Sequence, residues 1–179
     1  MIKLRFCIFG LLLVIMNSPE AASAAPIAAG SGAQMCVLTQ RDFQKFGTIV
    51  WSKPQVNLDQ NGASAYCVYR GKSGATGGVE LDVFYSAGSN ADEIANTWKA
   101  VLGSDPGGKY VPEYIPGTDQ SVYSLNVPQA GSFPFAANAV RRGNLVFSIS
   151  FPSGPLAKNE LRQLSQIVLS HFAPSDTSH

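Results

Sequence analysis

The chain has 179 residues, 13 of them basic and 12 acidic, for a formal charge of +1. This balance lacks the basic excess of a nucleic-acid binder, and no charge block marks the chain for an anionic membrane surface. The length suits one domain with a core of ordinary size.

Lys3 and Arg5 precede an unbroken apolar run from Phe6 to Met16, and Ala22-Ser23-Ala24 supplies the small residues that signal peptidase needs. A basic start, a short apolar core and an A-x-A site read as a cleavable signal peptide over residues 1–24. A membrane anchor needs roughly 20 apolar residues, and this run is shorter. Cys7 lies inside the run rather than at its end, so it is not placed for lipidation. The expected product is periplasmic or secreted, without a membrane anchor after cleavage. Removing Lys3, Arg5 and Glu20 leaves basic and acidic residues equal in number.

Residues 25–34 are small and weakly apolar and are expected to be a flexible lead-in. A single disulfide-bonded domain is expected over 35–172. Cys36 and Cys67 are the cysteines that survive cleavage. An even count in an exported chain implies a disulfide. It would close a loop of about 30 residues and contribute roughly 3–4 kcal/mol in the chain-entropy account. The competing reading is a metal or redox pair, but there is no C-x-x-C and no histidine nearby.

Thr39-Gln-Arg-Asp42 has the form of a capping box. Phe43 and Phe46 share a face and Gly47 stops the turn, so a helix is predicted over 39–46. Thr48 to Trp51 reads as a strand, and Pro54 makes 55–58 an edge or a separate piece. Asn61-Gly62 is a turn signal. Ala65 to Arg70 is a strand with Ala65, Cys67 and Tyr69 on one face. A glycine-rich connection, 71–78, leads to Val79–Tyr85. There Val79, Leu81, Val83 and Tyr85 alternate with Glu80, Asp82 and Phe84, the pattern of an antiparallel strand with one side toward the core.

A second helix is predicted over 91–102, capped by Ser89 or Asn90, with Asp92 and Glu93 at its positive end. Ile94, Trp98, Val101 and Leu102 form its buried stripe. Pro112 makes Tyr110–Ile115 an edge strand. Strands follow over 121–127, 136–140 and 145–151, the last two a hairpin over Arg141–Asn144. A closing helix after Gly154-Pro155 buries Leu161, Leu164, Ile167, Val168 and Phe172, and 173–179 is a disordered tail. The fold class is α+β: a curved antiparallel sheet with helices packed on one face, in the order α-β-β-β-α-β-β-β-α.

Several spacings are familiar. Cys36-Val-Leu-Thr39 opens the first helix, Gly47 closes it, and Cys67-Val-Tyr69 lies on a strand. A glycine-rich turn, an alternating strand, a central helix, Ile115-Pro-Gly-Thr-Asp119, a late hairpin and an amphipathic helix complete the pattern. Over about residues 35–172 this resembles the exported domains of unknown function found in actinobacterial lipoproteins. It is also similar to the extracellular sensor domain of a mycobacterial serine/threonine kinase. The chain departs from both in having no lipidated cysteine and no kinase. The resemblance implies a disulfide-tied α/β fold with a ligand-binding groove, and brings no catalytic residues with it.

Catalytic signatures are weak. Gly103 to Lys109 satisfies G-x-x-x-x-G-K, but Tyr110 stands where Ser or Thr should hold magnesium, and the motif follows a helix instead of a strand. No G-x-S-x-G is present, and the histidines are His171, on the last helical turn, and His179, the terminus. The cysteines are consumed by the disulfide and His171 stands alone, so no metal site is expected. No cofactor is expected either.

Glu80 and Asp82 share a strand face, where paired carboxylates can do acid–base work or bind calcium. The same pair also suits a solvated strand face. Arg141 and Arg142 at a hairpin tip can grip an anion or simply keep a turn soluble. Tyr110, Tyr114 and Tyr123 suit a binding surface and equally a strand. Trp51 and Trp98 read as core. The sheet face carrying Glu80, Asp82, Ser148 and Ser150, with Phe84 and Val146 among them, has the makeup of a shallow groove or of a solvated sheet face. The 71–78 loop and the Tyr110–Tyr123 segment are expected to border it.

The function expected is a non-catalytic exported binding or interaction domain, its partner an unidentified envelope protein or small molecule. The alternatives are an inhibitor or immunity protein that blocks an envelope enzyme by presenting a loop, and a hydrolase of unrecognised type.

Overall fold

The computed structural model describes Ile27 and residues 32–46, 52–71, 78–85, 90–103, 110–126, 135–152 and 157–172. The expected signal peptide, the Thr48–Trp51 strand, Gly47, most of the 71–78 connection, the 104–109 loop and the 173–179 tail lie outside them.

The elements are a 3-10 turn Gly32–Met35, α1 Gln40–Gln44, β1 Gln55–Leu58, β2 Ser64–Arg70, β3 Gly78–Tyr85, α2 Ala91–Gly103, β4 Val111–Pro112, β5 Gln120–Asn126, β6 Phe135–Arg142, β7 Leu145–Pro152 and α3 Ala157–His171. The strands form one seven-stranded sheet in the order β1-β2-β3-β7-β6-β5-β4, antiparallel throughout. The α+β class stands. The expected element order is not matched exactly: the second half has four strands, the first of them, Val111–Pro112, a shortened form of the edge strand expected over Tyr110–Ile115. β4 is an edge of the sheet, where a proline without an N–H is tolerated. Val111 pairs with Tyr123 and Pro112 with Val122, and the Glu113 N–H still donates to the Ser121 carbonyl at 3.0 Å.

Local chemistry accounts for the element ends. The Asp42 carboxylate accepts the Thr39 N–H at 2.8 Å and the Thr39 hydroxyl at 2.7 Å, which fastens the start of α1. The Asn90 side chain accepts the Glu93 N–H at 2.8 Å at the start of α2. In the β6–β7 hairpin Gly143 takes φ 56°, a left-handed conformation that a side chain disfavours, and its N–H donates to Asp119 at 2.7 Å.

The main core lies on one face of the sheet. Ala65, Cys67 and Tyr69 of β2, Val79, Leu81, Val83 and Tyr85 of β3, and Leu145, Phe147 and Ile149 of β7 pack there against Phe43 of α1 and Leu161, Leu164 and Val168 of α3. This is the face that strand alternation predicts. Within it Asn138 of β6 is fully buried and donates to Ser165 of α3 at 3.4 Å. The disulfide joins Cys36 to Cys67 with Cα atoms 5.7 Å apart, tying the segment before α1 to the middle of β2.

The helices do not share one face. Ile94 and Trp98 of α2 pack with Ala139 of β6 and Val146 of β7 on the opposite side, with Phe84, Tyr110 and Val122 around them. The reason lies in β6. Its Ala136, Ala137, Ala139 and Val140 are all buried, so the strand is apolar on both faces. A central strand of that kind calls for cover on both sides. The ordered body also begins ahead of Met35. The Ile27 N–H donates to the His171 carbonyl at 2.7 Å, and Gly32 donates to Gly62 at 3.2 Å, so parts of the expected flexible lead-in are fastened to the domain.

Candidate functional site

Between α2 and the sheet lies a cleft of about 300 Å³. Its floor is Ser64 of β2, Asp82 and Phe84 of β3, and Val146 and Ser148 of β7. These residues are neighbours because of the register: Ser64 stands opposite Phe84, Phe84 opposite Val146, and Asp82 opposite Ser148. The roof is Thr97, Ala100 and Val101 of α2. Thr97 and Val101 are four residues apart and so lie on one helix face, beside the Ile94–Trp98 stripe that anchors α2.

Phe84, Val101 and Val146 make the cleft largely apolar, and among the described residues Asp82 is its one charge. Asp82 is exposed to solvent, and crowding of its carboxyl by the surrounding protein, which thins its hydration, raises its pKa above the usual aspartate value. Among the described residues no basic group is paired with it, and the salt bridges found there both involve Glu113. Next to it on β2, Tyr66 has its pKa raised by burial, by a hydrogen bond to Glu80, and by the charges of Glu80 and Asp82, with Arg70 acting in the opposite sense. Asp82 and Glu80 are thus neighbouring acids on this face, with Arg70 as a basic group near the same tyrosine.

The residues singled out from sequence divide between places. Asp82 and Phe84 line the cleft, and Glu80 shares their face one step along β3 but is not in the lining. Tyr110 packs in the α2 cluster with Phe84. Tyr123 is on the other face, against the main core, with the Lys158 ammonium 5.2 Å from its ring centre. Tyr114 is 81% exposed on the loop after β4. The three tyrosines therefore form no common surface.

Arg141 and Arg142 are likewise separated, since successive strand residues point to opposite faces. Arg141 pairs with Val146 on the α2 side. The Arg142 guanidinium donates to the Phe172 carbonyl at 2.9 Å, at the end of α3. Burial lowers the Arg142 pKa despite the opposing influence of Tyr85 and Asp119, and the two guanidiniums considered for a shared anion grip belong to opposite faces of the hairpin.

Ser64, Thr97, Ala100 and Val101 belong to the lining without being singled out for it by sequence, although Val101 falls in the predicted buried stripe. The available signal is the pair of small residues Thr97 and Ala100 beside the bulky stripe of α2, which leaves space under the helix.

The Glu80/Asp82 pair leaves open a metal role on sequence grounds. Among the described residues no three His, Cys, Asp or Glu side chains come together as a metal-holding group. Also among them, no helix is long and apolar enough to cross a membrane. Comparison with protein-family models, with curated proteins and with solved structures gives no match.

Proposed function

We propose that this chain is an exported, non-catalytic binding domain whose ligand seats in the cleft between α2 and the sheet. The lining of the cleft carries the reading. A concave space of about 300 Å³ is walled by Phe84, Val101 and Val146 and offers a few convergent polar groups, Asp82 with Ser64, Thr97 and Ser148. Apolar walls with few polar groups make a recognition site. An activated hydroxyl also needs an adjacent base held by a third group, and among the described residues the lining offers a carboxylate and hydroxyls. The disulfide supports export, since such bonds persist in oxidising compartments. The resemblance to exported actinobacterial lipoprotein domains and to the kinase sensor domain points to the same kind of groove.

The test is native mass spectrometry of protein purified from the envelope, wild type beside Ala100→Phe, whose ring would fill the cleft. A small molecule retained by the wild type and lost from the variant supports the reading. A molecule retained equally by both places the ligand elsewhere.

A second reading, an inhibitor or other protein-docking domain, is favoured by the loop after β4. Tyr114 is 81% exposed between Glu113 and Ile115, which are buried. The loop is tied by Thr118 donating to the Ile115 carbonyl at 2.8 Å and by Ser121 donating to the Glu113 carbonyl. An aromatic presented on a preorganised loop suits a partner's pocket. Under that reading Tyr114→Ala abolishes capture of an envelope protein and Ala100→Phe leaves it intact.

A further inference from the structure

The charge of the cleft narrows the choice of ligand. Resting on the proposal that this cleft is the binding site, we infer that it takes a small primary ammonium carrying an unbranched apolar arm. The ammonium meets Asp82 and Ser148, and the arm lies between Phe84, Val146 and Val101.

Among the described residues, Asp82 is the one ionisable side chain in the lining. A carboxylate with no basic partner among the described residues, partly withdrawn from water, selects for a cation; burial already raises its pKa, the mark of a charge that lacks compensation. Glu80 stands nearby on the same face and adds to the negative potential, with Arg70 of β2 opposing it from beyond Tyr66. An anion would meet repulsion there, and a neutral ligand would leave the carboxylate desolvated without a counter-charge.

The polar groups also suit an ammonium in particular. Ser148 stands directly opposite Asp82 in the β3–β7 ladder, where facing side chains lie about 5 Å apart. An ammonium has three N–H donors on one point. It can give one to the carboxylate and another to the hydroxyl, while a guanidinium presents a broad plane of five donors that a site of this size does not match. On the far side of the pair the floor turns apolar at Phe84 and Val146, with Val101 above them. A chain of a few methylenes leaving the nitrogen runs into that part of the cleft. The volume, about 300 Å³, lies at the small end for ligand sites and limits the arm to a short one.

The experiment is an amide-shift titration of the purified, disulfide-bonded protein with three probes of matched length: n-pentylamine, n-pentanol and pentanoate. Pentylamine is expected to shift the amides of Asp82, Phe84, Val101 and Ser148 to saturation, with pentanol about tenfold weaker and pentanoate weaker still; a hydrogen bond to a charged group accounts for a factor of that size. Asp82→Asn keeps the shape of the site and should bring pentylamine down to the level of pentanol, the variant's own amide spectrum showing that it is folded. Lowering the pH should weaken pentylamine binding starting above the ordinary aspartate value of about 3.9. If pentanol and pentanoate shift the same amides as strongly as pentylamine, the cleft binds ligands but the cation inference is wrong. Pentylamine binding that survives Asp82→Asn overturns it as well. If no probe moves these amides, the cleft itself is not the site and both readings fall.

Discussion

The Glu113 carboxylate, its side chain only 4% exposed, meets the Lys158 ammonium at 2.7 Å, and through this contact the loop after β4 is fastened to α3. Arg162, one turn further along the helix, donates to the other carboxylate oxygen, its Nε at 2.8 Å. A single buried acid thus holds two cations that are themselves half open to water. Glu113→Gln removes the charge and leaves the cations free to turn outward. The expected loss is about 2 kcal/mol, the range for hydrogen bonds to charged groups, read as a lower urea midpoint with an unchanged slope. A loss within experimental error would mean that the clamp only decorates a loop already held by Ile115.

The same residue predicts a pH dependence. Burial on its own raises the Glu113 pKa, but the hydrogen bonds and charges of Lys158 and Arg162 outweigh it, and the carboxyl titrates below the ordinary range. A depressed folded pKa gives stability that is present above the unfolded value and lost as pH falls through the folded one. The stability gap between wild type and Glu113→Gln should therefore be full at neutral pH and should close as pH drops below about 4.3, the ordinary glutamate value. A gap that stays constant into that acidic range would assign the clamp's contribution to packing.

The disulfide makes a third prediction. Cys36 and Cys67 are 31 positions apart, and the chain-entropy account gives a loop of that length roughly 3–4 kcal/mol. Cys36→Ala and Cys67→Ala should each lower stability by about that amount, and the double variant should lose no more than the worse single one, since all remove one cross-link. Chemical denaturation of the three variants checks it. Additive losses would show that the two sites act as separate core positions.

Much of this frame is legible in the residues. The alternation of Val79, Leu81, Val83 and Tyr85, and of Leu145, Phe147 and Ile149, marks the main core face correctly, because period two is a property of the strand itself. Asn90 and Asp42 mark the helix starts for the same local reason. The placement of α2 is not legible. Its Ile94–Trp98 stripe has an amphipathic pattern that fits either face. The choice is made by Ala139 and Val146, which reach the site only because β3 pairs with β7, a strand distant in the chain. Strand alternation puts Asp82, Phe84, Val146 and Ser148 on one sheet face, as observed, but the sequence reading leaves that face open, whereas α2 roofs it. The contacts of Ile27 and Gly32 escape a sequence reading because they are backbone hydrogen bonds, which leave no trace in side-chain chemistry.

The last prediction sets stability against binding at Asp82. Burial raises the pKa of this carboxyl, so the folded state holds its proton more tightly than the unfolded chain does. The sign is opposite to that of Glu113: the ionised form costs stability at neutral pH, and the cost fades as pH falls toward about 3.9, the ordinary aspartate value. Asp82→Asn removes the charge and keeps the shape. It should leave Tm unchanged or raise it, by a shift on the order of 1–3 °C given the solvent contact of the side chain, and any gain should vanish in acid. A residue kept for packing would behave the other way, since its replacement lowers Tm at every pH. Calorimetric scans of wild type and Asp82→Asn at neutral and acidic pH distinguish the two. A rise at neutral pH that disappears in acid marks Asp82 as a charge held at a cost to the fold, which is what a site awaiting a cationic ligand requires. A fall at both pH values would return Asp82 to the structure of the sheet.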